Sequence, residues 1–288
     1  LFKGSVSGAI DGAEPNDIIQ GADREFYGTT AGGGGGEYNS AGTVFKLSAG
    51  GTETILHVFT YGAAGSTDGE EPTGIIEGAD GNFYGTTRGG GTYGEGTVFR
   101  LTPTGVETVL YSFTGGVSGS KDGANPITKL VEGSDGSFYG STETGGTGTC
   151  SFINAAAGCG TLFKVTPGGV ETVLYSFTYG KNHSSDGASP DTPLIFGSDG
   201  DLYGSTGEGG LPYGECSFES SGCGTVFRLT ASGQETVLHR FTDGANGSAD
   251  GGNANGLILA KDGNFYGTAL AGGAIGGGMV FKLSNVIR

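Results

Sequence analysis

One motif recurs through this chain at nearly constant intervals, and it limits the fold more than any other feature. GTVFKL begins at residue 42, GTVFRL at 96, GTLFKV at 160, GTVFRL at 224 and GMVFKL at 278, at spacings of 54, 64, 64 and 54 residues. A repeat of this length is one supersecondary unit that buries its apolar face against its neighbours, so it is read before any local element. Each copy carries four apolar runs. In the second copy they are Gly74-Ile75-Ile76-Glu77, Phe83-Tyr84-Gly85-Thr86-Thr87, Thr97-Val98-Phe99-Arg100-Leu101 and Thr108-Val109-Leu110-Tyr111-Ser112-Phe113. All are short, β-branched or aromatic, and bounded by Gly, Asp, Asn or Pro, as strands are. No segment sustains a 3.6-residue apolar period, so helix is expected to be nearly absent. Four strands per copy is the arithmetic of a propeller blade. The expectation is an all-β protein, with residues 1–288 forming a single five-bladed β-propeller of four antiparallel strands per blade.

The turns sort the loops. Asp80-Gly81-Asn82 reads as a tight hairpin between strands one and two, and Pro103-Thr104-Gly105 as another between strands three and four. These short turns share one face, so the longer connections share the other, where function is expected. Leu1-Phe2-Lys3-Gly4 aligns with Ser112-Phe113-Thr114-Gly115, and the last copy ends without a complete fourth strand. The first residues are therefore expected to complete the last blade and close the ring, removing two open sheet edges.

The full pattern is DGxxP, then (I/L)(I/V)EG(A/S)DGNFYGTTxxGG, then GTVFKLTPxGxETVLYSFT. It resembles the GloVer-type tandem repeat of secreted bacterial choice-of-anchor proteins and covers essentially the whole chain. The fifth copy departs from it with Ala254 for Pro, Ala260 for Gly and Met279 for Thr. The resemblance implies an extracellular or surface-attached bacterial protein and no defined activity.

Composition narrows the partners. Fourteen Lys and Arg against thirty Asp and Glu give a net charge of -16, which leaves no means of neutralising a phosphate backbone or an anionic lipid surface. Neither nucleic acid nor membrane insertion is expected, and the chain is read as a monomer. It begins Leu1-Phe2-Lys3 with neither Met nor a signal peptide, as a mature or trimmed form would. Glycine and proline make up 64 and 8 of the 288 residues, but they recur with the period, which argues against disorder. Four cysteines allow three pairings. Cys150 and Cys159, and likewise Cys216 and Cys223, precede the same GT(L/V)F segment of their own copies, so pairing within each copy is expected. Zinc is the rival, but these loops hold no His. Disulfides would place the protein outside a reducing cytosol.

Most Phe and seven Tyr fall on repeating strand positions and are read as core. Tyr38, Tyr61, Tyr93, Tyr179 and Tyr213 are left over, all in long-loop segments. A Tyr ring can stack on a sugar face while its hydroxyl bonds the rim, or it can simply pin a glycine-rich loop. Asp68, Asp122 and Asp186, with Asp11 and Asp250, each precede a Gly in the linker into a blade. Such residues cap turns, contact ligand, or join a Ca²⁺ site; without DxDxDG spacing the turn role is preferred and no cofactor is expected, with Ca²⁺ as the alternative. Catalysis needs asymmetry, and that lies in copies three and four. Glu208, Glu215, Asp191 and His183 are the candidates, since two carboxylates roughly 5 to 9.5 Å apart suffice for glycoside hydrolysis. His57 and His239 align with Tyr111 and Tyr175 and are read as structural; Glu53, Glu107, Glu171 and Glu235 are read as strand-edge charges. The leading expectation is a secreted glycan-binding propeller for a neutral saccharide, although the absence of Trp weakens it. The rivals are a glycoside hydrolase using the carboxylates of copies three and four, and a non-catalytic protein-interaction scaffold.

Overall fold

The computed structural model describes residues 11–35, 41–60, 67–116, 121–150, 158–179, 186–210, 216, 222–242, 250–273, 276–284 and 286. Every regular element among them is a strand. Each GTVF-type segment forms the third strand of an antiparallel sheet. The first sheet is β1 (Gly12–Gln20), β2 (Phe26–Gly33), β3 (Thr43–Leu47) and β4 (Glu53–Val58), and the second is β5 (Gly69–Glu77), β6 (Phe83–Gly90), β7 (Thr97–Leu101) and β8 (Glu107–Ser112). In the third copy β9 (Gly123–Ala124) is separated from β10 (Val131–Glu132), and it pairs with β12 (Thr144–Gly145); β10, β11 (Phe138–Thr142), β13 (Thr161–Val165) and β14 (Glu171–Ser176) form the main sheet. The fourth copy repeats this with β15 (Gly187–Ala188) on β18 (Glu208–Gly209), beside the sheet of β16 (Ile195–Phe196), β17 (Leu202–Thr206), β19 (Thr225–Leu229) and β20 (Glu235–Arg240). The last sheet has three described strands, β21 (Gly251–Leu259), β22 (Phe265–Gly272) and β23 (Met279–Leu283).

The chain forms two compact units, 1–117 with 124–139 and 164–172, and 118–123 with 140–163 and 173–288. In the first, Tyr27, Val44, Phe59, Ile75, Phe83, Phe99 and Leu101 make one apolar cluster. In the second, Tyr203, Val226, Phe241, Leu257, Phe265 and Phe281 make another. Each fully buried Phe contributes about 1.5–3 kcal/mol by leaving water.

The repeated glycines follow from this packing. The FYG glycine faces the GTVF phenylalanine across the sheet: a methyl group on Gly85 would stand 2.6 Å from Phe99 Cζ, and one on Gly204 2.6 Å from Phe227 Cζ. The glycine opening the GTVF segment of each of the first three copies packs close to the next copy's proline, with Gly42 against Pro72, Gly96 against Pro126 and Gly160 against Pro190. The hairpin turns form as expected. Gly81 takes φ 77° and Gly105 φ 88°, and Asp80 caps its turn by accepting from Asn82 N at 3.0 Å and from the Tyr84 hydroxyl at 2.8 Å. The same aspartate–tyrosine clasp joins Asp23 to Tyr27, Asp135 to Tyr139, Asp199 to Tyr203 and Asp262 to Tyr266.

Both disulfides form within their own copies, Cys150–Cys159 and Cys216–Cys223. In the second unit, the Cys159 and Cys223 carbonyls accept from Ser189 N at 3.0 Å and Asn253 N at 2.8 Å. Each bridge therefore fixes the strand onto which the next copy's entry segment docks. On the fifth sheet, Val280 is 72% exposed and Ile258 65%, whereas Val44, Val98 and Val226 at the same repeat position as Val280 are fully buried.

Candidate functional site

Five residues share a conformation that side chains rarely adopt. Glu14, Glu71, Asn125, Ser189 and Asn253, all third after the repeated Asp-Gly aspartate, have φ of 51° to 56°. The cause is a bond between copies: at this point the backbone N–H turns away from its own sheet to the preceding copy, as in Glu71 N to Ala41 O at 2.8 Å and Asn125 N to Glu95 O at 2.9 Å. The bend breaks the register between Pro72 and Gly74, and in the third and fourth copies it splits the strand outright. Left-handed backbone of this kind costs energy that the surrounding structure must offset, and it gathers where side chains are aimed at a ligand.

In the first unit these side chains border a polar cleft of about 510 Å³ lined by Ala13, Glu14, Ala31, Gly32, Gly33, Glu71 and Arg88. Arg88 and Glu71 stand 3.9 Å apart, each about half exposed. A larger, more apolar cavity of about 640 Å³ lies elsewhere in this unit, along Pro15 to Ile18, Phe45 and Leu47. Its walls are mainly apolar although Asn16, Asp17 and Glu53 line it too, whereas the cleft is mainly polar and carries a cation beside its carboxylates, so for a polar ligand the cleft is the better candidate.

The same repeat position in the second unit gathers Ser189, Asp191, Glu208 and Asn253. The Ser189 hydroxyl donates to Glu208 Oε2 at 3.2 Å, and Ala188 pairs with Glu208 across β15 and β18. Asp191 is packed against Gly207, where a methyl group would stand 2.6 Å from Asp191 Oδ2 and 3.5 Å from Asn253 Oδ1. Asp191 Oδ1 is buried with no hydrogen-bond partner among the described residues. Burial, followed by the charge of Glu143, pushes the Asp191 carboxyl up to about 6. That is the range of a group able to give and take a proton near neutral pH. The structure thus brings Asp191 and Glu208 into one neighbourhood, while Glu215 and His183 lie outside the described residues.

The remaining candidates divide. Tyr93 is 51% exposed and Tyr179 has φ 52°, while Tyr38, Tyr61 and Tyr213 lie outside the described residues. Asp122 and Asp186 are only 3% exposed. Asp186 accepts from the Tyr175 hydroxyl at 2.9 Å, Thr178 N at 2.9 Å and Thr178 Oγ1 at 3.0 Å, so it ties the fourth strand to the entry segment of the same unit. Asp68 meets His57 Nε2 and Thr60 Oγ1, both at 3.3 Å.

The reading of the fourth-strand glutamates as edge charges is corrected by the fold. Glu107 Oε1 and Glu235 Oε1 are buried without a hydrogen-bond partner among the described residues. Glu107 is raised to about 7 by burial first and Asp68 second, with His57 opposing; Glu235 is raised to about 7 by burial first and Asp186 second, with Arg240 opposing. Sequence spacing put these residues beside short turns, and it could not show that each turn leans onto the preceding copy, as Gly105 does against the Leu56 carbonyl.

No curated protein sequence matches the chain. Among solved structures, the extracellular domain of a candidate one-component system from B. thetaiotaomicron is similar over 96% of this chain and 28% of its own, at TM-score 0.55 and 13% identity. A candidate gluconolactonase is similar over 96% of this chain and 80% of its own, at TM-score 0.51 and 15% identity. Kuenenia stuttgartiensis hydrazine synthase is similar over 92% and 59%, at TM-score 0.53 and 13% identity. At such identities the likeness shows the propeller-type fold alone. The family model for the Gloeobacter/Verrucomicrobia repeat matches residues 2–154 and 117–286. With strands, turns, glycines and clasps all recurring at the period of that repeat, this chain belongs to the Gloeobacter/Verrucomicrobia repeat family.

Proposed function

We propose that this is a secreted bacterial glycan-binding β-propeller, and the observation that carries the reading is the polar cleft of Glu14, Glu71 and Arg88. Carboxylates accept paired hydrogen bonds from vicinal hydroxyls, an arginine fork donates to ring and hydroxyl oxygens, and bare glycine backbone lets a flat ring approach closely. The exposed Tyr93 ring supplies an aromatic surface in a long loop of the same unit. A neutral saccharide fits the chain's acidity, because an anionic one would be repelled. The disulfides support an oxidising, extracellular setting.

In this reading the protein acts as a monomer of five blades, residues 1–4 complete the last blade, and no Ca²⁺ is required for binding. Similar sites repeated from copy to copy gain strength by multivalency. A glycan-array screen with and without EDTA, repeated with Glu71→Gln, tests it. Binding of neutral oligosaccharides that survives EDTA and weakens at least tenfold in the variant is expected; an array without hits refutes it.

A second reading, hydrolysis of a neutral polysaccharide, draws support from the raised carboxyl of Asp191 beside Glu143, with Glu208 close by. Its signature is release of reducing ends that Asp191→Asn abolishes while binding persists.

A further inference from the structure

We propose that His57, Asp68 and Glu107 form a binding site for a divalent transition-metal ion of the Zn²⁺ class. Their ligand atoms, one imidazole nitrogen and two carboxylate oxygens, all lie within 4.8 Å of one another. This donor set, with a fourth position left to water, is that of zinc-type sites, whose bonds of about 2.0–2.2 Å would draw the three ligand atoms in to separations of about 3.4 Å.

Three further observations point to a ligand. Glu107 Oε1 is buried with no hydrogen-bond partner among the described residues, as is Glu235 Oε1 at the same repeat position, but beside Glu107 the neighbouring fourth-strand residue is a histidine and not a tyrosine. The His57 and Asp68 side chains are 19% and 11% exposed, sheltered yet open to an ion from solvent. The repeat also supplies its own comparison. Where Tyr175 takes the place of His57, its hydroxyl donates to Asp186 at 2.9 Å, whereas His57 Nε2 stands 3.3 Å from Asp68. The histidine version of the cluster replaces a hydroxyl donor with a metal ligand. His239 stands by Asp250 at 3.1 Å, but among the described residues that pair gathers no third ligand. One ion is therefore expected at this site in the first unit, and none at the His239–Asp250 pair.

The test is calorimetric titration of EDTA-stripped protein with ZnCl₂ at pH 7.5, with Co²⁺ absorption as a second probe. The wild type should bind one ion, and its unfolding midpoint should rise with Zn²⁺. His57→Tyr copies the arrangement the protein already uses at Tyr175, so it should fold, and it should bind at least tenfold more weakly. Glu107→Gln gives an independent route and should also lose at least tenfold, whereas His239→Tyr should bind as the wild type does. No saturable heat from the wild type overturns the proposal, as does unchanged affinity in both His57→Tyr and Glu107→Gln.

Discussion

Replacing Glu235 by glutamine should stabilise the protein at neutral pH, against the usual cost of changing a half-buried residue. Glu235 lies on β20 beside Asp186, its Oε1 has no hydrogen-bond partner among the described residues, and its carboxyl is raised from 4.5 to about 7. The native state thus holds this proton more tightly than the unfolded chain does. Below about pH 4.5 both states carry it and the site is neutral in both. As pH rises towards 7 the unfolded chain ionises first, so stability falls through this window and the loss is complete above it. The whole interval would correspond to about 3.4 kcal/mol at about 1.4 kcal/mol per tenfold change in proton affinity. The side chain keeps enough contact with water that about 1–2 kcal/mol is the appropriate figure after screening. Glutamine has the shape of the protonated acid and never ionises. The gap between Glu235→Gln and the wild type should therefore open from near zero at pH 4 to about 1–2 kcal/mol at pH 8. Urea unfolding at several pH values measures it without the ionic screening that guanidinium would add. Pairs of curves that stay parallel with pH, or a variant less stable at pH 8, would refute the reasoning.

Other substitutions probe the remaining features. Gly85→Ala should lower stability by about 1–3 kcal/mol in chemical denaturation, because its methyl group meets the Phe99 ring at 2.6 Å. Reducing both disulfides, which close sequence separations of 9 and 7, should cost roughly 3 kcal/mol or less each and leave the far-UV circular dichroism intact. Deleting residues 1–4 should lower the unfolding midpoint well beyond the effect of a frayed end if these residues complete the last blade; an unchanged midpoint counts against closure. Tyr93→Ala should weaken retention on a column of an array-identified glycan by about 1 kcal/mol, the scale of an aromatic contact.

The repeat period, the strand positions, both hairpin turns and the disulfide pairing were all legible in the sequence, because each depends on local chemistry or on alignment of one copy with another. Short β-branched and aromatic runs set the strands, Asp-Gly sets the turns, and Cys150 with Cys159 falls within one loop. The rest depends on which copy leans on which. The left-handed conformation of Glu71 arises from a hydrogen bond to Ala41 in the preceding copy, thirty residues back, which no local propensity encodes. The burial of Glu107 and Glu235 follows from packing between copies, and so does the raised carboxyl of Asp191 beside Gly207 and Glu143. Burial and proximity of like charges are properties of the assembled fold, and they decide which carboxylates carry chemistry and which only cap turns.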